Sequence, residues 1–189
     1  MSPAPLPLAA EPLTAEAFAP FGEVIEASAA ARHYPINGGN TERFHDLARL
    51  TPGDGGRVIV SIFRGAPRVL PFTVGIMERH PLASQAFMPL FGGSNSKRPY
   101  LIVVAPRGPA PAAEQLRCFI AQAHQGVNYA AGVWHHPLLA LDDTSDFLVL
   151  DRDGPGANCD EVILTPPAVI TAEAIAAAGR AQRAVNRPS

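Results

Sequence analysis

Apolar residues in this chain come in short bursts, each cut off by turn formers. Eight such bursts read as strands: "GEVIEA", "RVIVSIFRG", "PFTVGIME", "QAFMPL", "YLIVVAP", "LRCFIAQ", "GVWHHPLLAL" and "TSDFLVLDR". Some alternate polar and apolar positions, the period of a half-covered strand; others are continuously apolar, as in a strand buried on both faces. Short strands at close spacing, with no helical period between them, predict an antiparallel sandwich or barrel. Helical signals stand only at the ends. "PLTAEAFAPFG" predicts a short helix with Thr14 as N-cap, closed near Gly22, and "PPAVITAEAIAAAGRAQRAV" predicts a second helix with Thr171 as N-cap.

Twenty prolines and 16 glycines punctuate the 189 residues. "HYPINGGNTERFHDLARL", from His33 to Leu50, reads as a polar loop passing into a helical turn. "FGGSNSKRPY", from Phe91 to Tyr100, reads as a flexible insert ending in two cations, Lys97 and Arg98. "DRDGPGANCDE", from Asp151 to Glu161, lacks the order of a calcium loop and reads as a turn capping the sheet. No repeat or long linker divides the chain, so residues 1–189 are expected to form one domain.

Composition narrows the classes. A 47% hydrophobic and 17% charged chain has the make-up of a folded globular protein. A net charge of −2 gives no field that would gather nucleic acid or anionic lipid. No apolar run reaches membrane-spanning length and no basic n-region opens the chain, so the cytoplasm is the expected compartment. The two cysteines, Cys118 and Cys159, have no zinc-like spacing, and Cys118 is expected to pack as a small apolar residue. Neither a GxGxxG nor a Walker pattern occurs, which argues against nucleotide binding, and no GxSxG elbow supplies a nucleophile.

Candidate chemistry begins at "GIMERHPLASQAFMPLFG". Glu78 and His80 are two apart and share one face of a strand; Gln85 and Gly92 follow. The spacing resembles the first cupin motif, with Glu78 replacing its first histidine and Gln85 its glutamate. "AAGVWH", from Ala130 to His135, resembles the second motif, with alanine for its proline. His135 holds the motif position and is expected to point inward with Glu78, His80 and Gln85; His136 is expected to face outward or line the rim. Two imidazoles and a carboxylate can hold a borderline divalent ion, or serve without metal as an acid/base cluster. Residue types alone leave both open.

"INGGNTERFHDLA", "ERHPLASQAFMPL", "QGVNYAAGVWHHPLLA" and "DFLVLDRDGPGANCDE", spread from residue 36 to 161, together resemble the ureidoglycolate lyase family. The resemblance implies a mainly β protein: a cupin-type double-stranded β-helix barrel with short N-terminal and C-terminal helices. It further implies a homodimer and a role in allantoin breakdown, releasing urea and glyoxylate from ureidoglycolate. Catalysis would fall to Glu78, His80 and His135. A divalent metal, nickel or another transition ion, would be held by Glu78, His80, Gln85 and His135. The stretched 91–100 segment departs from the family pattern.

Such a substrate carries a carboxylate, for which arginines interrupting apolar faces are the candidates: Arg64 in line with Val58, Val60 and Ile62, and Arg152 in line with Leu148 and Leu150. Arg43 and His45 precede the barrel and join this substrate-binding set, with Asn128 and Tyr129 as donors to the ureido group. Two other readings remain: another metal-dependent cupin acting on a small polar acid, and a non-catalytic binding or sensing module. No DNA-reading helix supports a regulator.

Overall fold

The computed structural model describes residues 3–90 and 98–185, the side chains of 182–185 aside. In chain order its elements are β1 (Leu6–Pro7), β2 (Ala10–Pro12), α1 (Ala15–Phe18), β3 (Gly22–Ile25), β4 (His33–Ile36), β5 (Thr41–Phe44), β6 (Arg57–Gly65), β7 (Phe72–Arg79) and β8 (Gln85–Pro89). They continue as β9 (Tyr100–Ala105), β10 (Arg117–Ala121), β11 (Gly126–Tyr129), β12 (Trp134–His135), β13 (Leu139–Ala140), β14 (Ser145–Asp153), β15 (Asp160–Ile170) and α2 (Ala172–Val185). The fold is mainly β, with two short helices.

Two sheets curl into a cupin-like barrel. The larger runs β1-β15-β7-β12-β9-β10-β2, with β13 also pairing β9; the smaller runs β3-β11-β8-β14-β6. Between them lies an apolar interior that includes Phe18, Phe87, Ile102, Val104, Phe119, Tyr129, Phe147 and Val149. A second cluster, with Met77, Val103, Trp134 and Ile170, covers the other face of the larger sheet and takes in Ala178 of α2. Continuous burial on both faces explains the uninterrupted apolar run of β9. Helix α1 closes the interior: Thr14 Oγ1 accepts from Ala17 N at 3.1 Å, and Phe18 is fully buried, worth about 1.5–3 kcal/mol. Thr171 caps α2 in the same way, accepting from Ala174 N at 3.3 Å.

Several elements differ from the sequence reading, β11 among them, which is not one of the eight expected strands. Residues 33–44 form a β4–β5 hairpin, not a loop running into a helical turn. The run "GVWHHPLLAL" is split into β12 and β13, since Pro137 has no N–H for the ladder. β15 is missing from the expected strands because Pro166 and Pro167 interrupt it; its register to β7 shifts between Ile163 and Ala168, a bulge that absorbs them. Pairing by only two and three residues left β1 and β2 unrecognised. The 91–97 stretch, Lys97 included, lies outside the described residues.

Candidate active site

β7 carries Glu78 near its end and His80 just beyond. β12 lies beside it, with His135 opposite Glu78 in register. One ligand atom each from Glu78, His80 and His135 lies within 4.8 Å of the others. The two imidazole rings stand 5.2 Å apart between centroids. The backbone joins the two chain segments directly: Gly132 N donates to His80 O at 2.8 Å. That turn needs glycine, because residue 132 sits at φ 78°, in the left-handed region.

Hydrogen bonds fix which nitrogen of each ring is free. His80 Nδ1 donates to the carbonyl of Asn158 at 2.6 Å, and His135 Nδ1 to that of Val133 at 3.1 Å. A carbonyl only accepts, so each neutral ring carries its proton on Nδ1 and presents a bare Nε2. Both Nε2 atoms are buried without a hydrogen-bond partner. His135 Nε2 faces Glu78 Oε1 at 3.5 Å, and its ring stacks on Tyr129 at 4.2 Å with 7° between planes.

Burial would push the Glu78 carboxyl up, yet His135, His80 and His136 around it outweigh that effect and hold it below the ordinary carboxylate range. Burial, and then Glu78, push the Tyr129 phenol well up, so it stays protonated. With both rings neutral, three electron-pair donors turn on one space, and a proton or a cation held between them is what keeps the Glu78 carboxyl low. Buried lone pairs without partners are costly, and a shared proton or a cation offsets that cost. The donor set of two imidazoles and a carboxylate fits a borderline divalent ion.

Gln85 starts β8, opposite Tyr129 in register and on the interior face with Phe87. Its Nε2 donates to Asp151 Oδ2 at 3.2 Å, which leaves Oε1 buried and unpartnered. Asp151 and Asn158 are the two residues that sequence reasoning passed over. Asn158 is the pivot of its turn: its carbonyl holds His80, and its Oδ1 accepts from Leu82 N at 2.9 Å. An Asn beside a Gly-Pro-Gly turn was the available signal.

The remaining candidates lie elsewhere. Asn128 alternates with Val127 and Tyr129, so it projects from the opposite face, where its Nδ2 donates to Glu23 Oε2 and Arg49 O. Arg64 is 71% exposed and held by both oxygens of Asp146. Arg152 gives its guanidinium to the carbonyls of Pro52, Asp54 and Pro155, a brace for two loops. Arg43 is exposed on the hairpin over the Tyr34 ring, and His45 lines a separate cavity of about 350 Å³ with Arg32 and Asp46. His136 does not face outward: it is 8% exposed, edge-on to Phe72, because His136 N stays bonded to Val103 O and draws the ring under the sheet's apolar cover. Cys118 is fully buried as expected, its thiol pushed by burial up to about 12.

The ureidoglycolate lyase family profile matches residues 5–171. Named relatives agree. Ureidoglycolate lyase of Burkholderia cepacia is 58% identical over 165 residues, covering 87% of this chain and 89% of its own. Ureidoglycolate lyase 1 of Rhizobium meliloti is 56% identical over 82% of this chain and 87% of its own. That of Azotobacter vinelandii is 54% identical over 82% and 90%. With the two imidazoles and Glu78 converging inside a cupin-like barrel, and relatives so similar along most of their length, this chain belongs to the ureidoglycolate lyase family.

Proposed function

We propose that the protein is a lyase that cleaves the carbinolamine C–N bond of ureidoglycolate, giving glyoxylate and urea. The observation that carries this reading is the pair of buried, unpartnered Nε2 atoms, that of His135 facing Glu78 at 3.5 Å, in a chain of this family. The reaction needs no external nucleophile. The hydroxyl proton must leave as the new C=O forms, and the departing ureido nitrogen must gain a proton. Both tasks fall to one carrier.

We assign the carrier to Glu78, which its imidazole neighbours keep anionic and ready to accept at neutral pH. Taking the proton from the hydroxyl oxygen and returning it to nitrogen leaves the enzyme unchanged. Glu78, His80 and His135 are the residues that would hold a divalent ion, with Gln85, whose Oε1 is buried and unpartnered, as the fourth candidate. When bound, such an ion supplies positive charge for the substrate's oxygens. Gln85 Oε1, aimed by Asp151, is an acceptor for a ureido N–H, and Tyr129 props the His135 ring.

The test follows urea and ammonia separately from ureidoglycolate, before and after chelation. Urea without ammonia, lost on chelation and restored by one divalent metal, is expected. Ammonia release would mean an amidohydrolase, and tight binding without turnover a sensing module. Activity on another small acid with none on ureidoglycolate would mean a different cupin enzyme.

The same reading takes residues 1–189 as one domain acting as a homodimer. β6 is an edge strand that turns Val58, Val60 and Ile62 to solvent, the last two 64% and 54% exposed, and such an apolar edge calls for a partner. Two free cysteines, Cys118 and Cys159, suit the reducing cytoplasm. Among the described residues no helix is long and apolar enough to cross a membrane.

A further inference from the structure

Beside the imidazole pair lie two further ligand-type side chains that the reaction above does not use. Glu161 on β15 stands opposite Glu78 in register, and Cys159 precedes it in the turn held by Asn158. One ligand atom each from Glu78, Cys159 and Glu161 falls within 4.8 Å of the others. Glu78 therefore belongs to two triads, one with imidazoles and one with a thiol.

We propose that Cys159, Glu161 and Glu78 form a second cation site, selective for thiophilic divalent ions such as cadmium or zinc, whose occupation withdraws Glu78 from His80 and His135. Three features support it. Thiolate sulfur selects soft and borderline metals over magnesium or calcium. The carboxylates of Glu78 and Glu161 bring negative charge to the thiol, which attracts a cation, while that of Asp160 is paired with Arg79. Finally, the shared carboxylate is poised between the groups: His135 Nε2, in a ring only 2% exposed and with no hydrogen-bond partner, is aimed at Glu78 Oε1 from 3.5 Å. Moving Glu78 toward the thiol side takes the anion away from that nitrogen. Binding exchanges a proton for a metal: the S–H bond of Cys159 breaks, its proton goes to solvent, and an S–metal bond forms with no change of oxidation state.

The site is exposed at Cys159 and Glu161, so Cys159→Ser and Glu161→Gln leave the packed interior intact. Cadmium is titrated into the full chain while the sulfur-to-cadmium charge-transfer band is read in the near ultraviolet. The wild type should show one band saturating at one ion per chain. Cys159→Ser should lose it, and Glu161→Gln should weaken binding by at least about tenfold. Cadmium should also inhibit urea release, with the half-inhibiting concentration raised at least about tenfold in Cys159→Ser. No band in the wild type, a band persisting in Cys159→Ser, a Glu161→Gln titration matching the wild type, or equal inhibition of Cys159→Ser would each overturn the site. The absorbance readout does not depend on which substrate the enzyme takes.

Discussion

Glu78→Gln removes one charge and one proton acceptor while keeping the shape of the side chain. The carboxylate lies 3.5 Å from His135 Nε2 and is 19% exposed. At that separation and an effective dielectric near 20, its attraction for a unit positive charge is about 5 kcal/mol. A positioned proton carrier is typically worth about two to four powers of ten in rate. Both contributions act on the step that breaks the C–N bond, so kcat should fall by about two to four powers of ten, with KM moving far less. At neutral pH the change should cost the fold the stability that this carboxylate lends it. Toward acid the two proteins should converge. A carboxyl held low in the folded state stabilises it above the ordinary carboxylate pKa, and that benefit disappears as pH falls through the folded value. The assay is initial-rate urea release at saturating substrate, with thermal unfolding and metal content on the same samples. A Glu78→Gln enzyme within tenfold of wild-type kcat would refute the assignment of the carrier.

Other expectations can be checked with similar assays. Burial, the largest influence on His136, lowers its pKa in the folded state; the unfolded chain therefore takes up the proton first, near pH 6.5, and stability falls as pH drops below that value. His136→Gln should flatten this acid arm in denaturant titrations. Arg152→Ala, which frees three loop carbonyls, should cost about 2–4 kcal/mol in the same titrations, whereas Arg64→Ala should leave urea release at the wild-type rate. Val60→Glu with Ile62→Glu should shift the sedimentation coefficient from dimer to monomer by charging the β6 face.

The strands most plainly written in the sequence are those with one regular burial pattern along their length, such as β9, buried throughout, and β14, which alternates. Where a strand owes its existence to a partner, local pattern is silent: β1 and β2 pair in parallel with distant segments, and β15 survives two prolines only because a bulge accommodates them. The inward pair was legible for a simple reason. Glu78 and His80 share a face through period two, and His135 follows a glycine turn whose geometry is local. Where the candidate arginines would lie was not legible, because an apolar run ending in arginine looks the same on either face of a sheet. In β6 that face is turned to solvent, and the Arg64 guanidinium is taken by Asp146 across a strand pair that no spacing reveals. Asn128 shows the same limit, since only the stacking of Tyr129 on His135 tells which of two neighbours faces inward.

X-ray absorption at the metal edge, on protein reconstituted with one divalent transition ion, addresses the shared site most directly. The account predicts two imidazole nitrogens at about 2.0–2.1 Å with carboxylate oxygen, and loss of one imidazole in each of His80→Ala and His135→Ala. A first coordination sphere without imidazole, unchanged by either substitution, would contradict it.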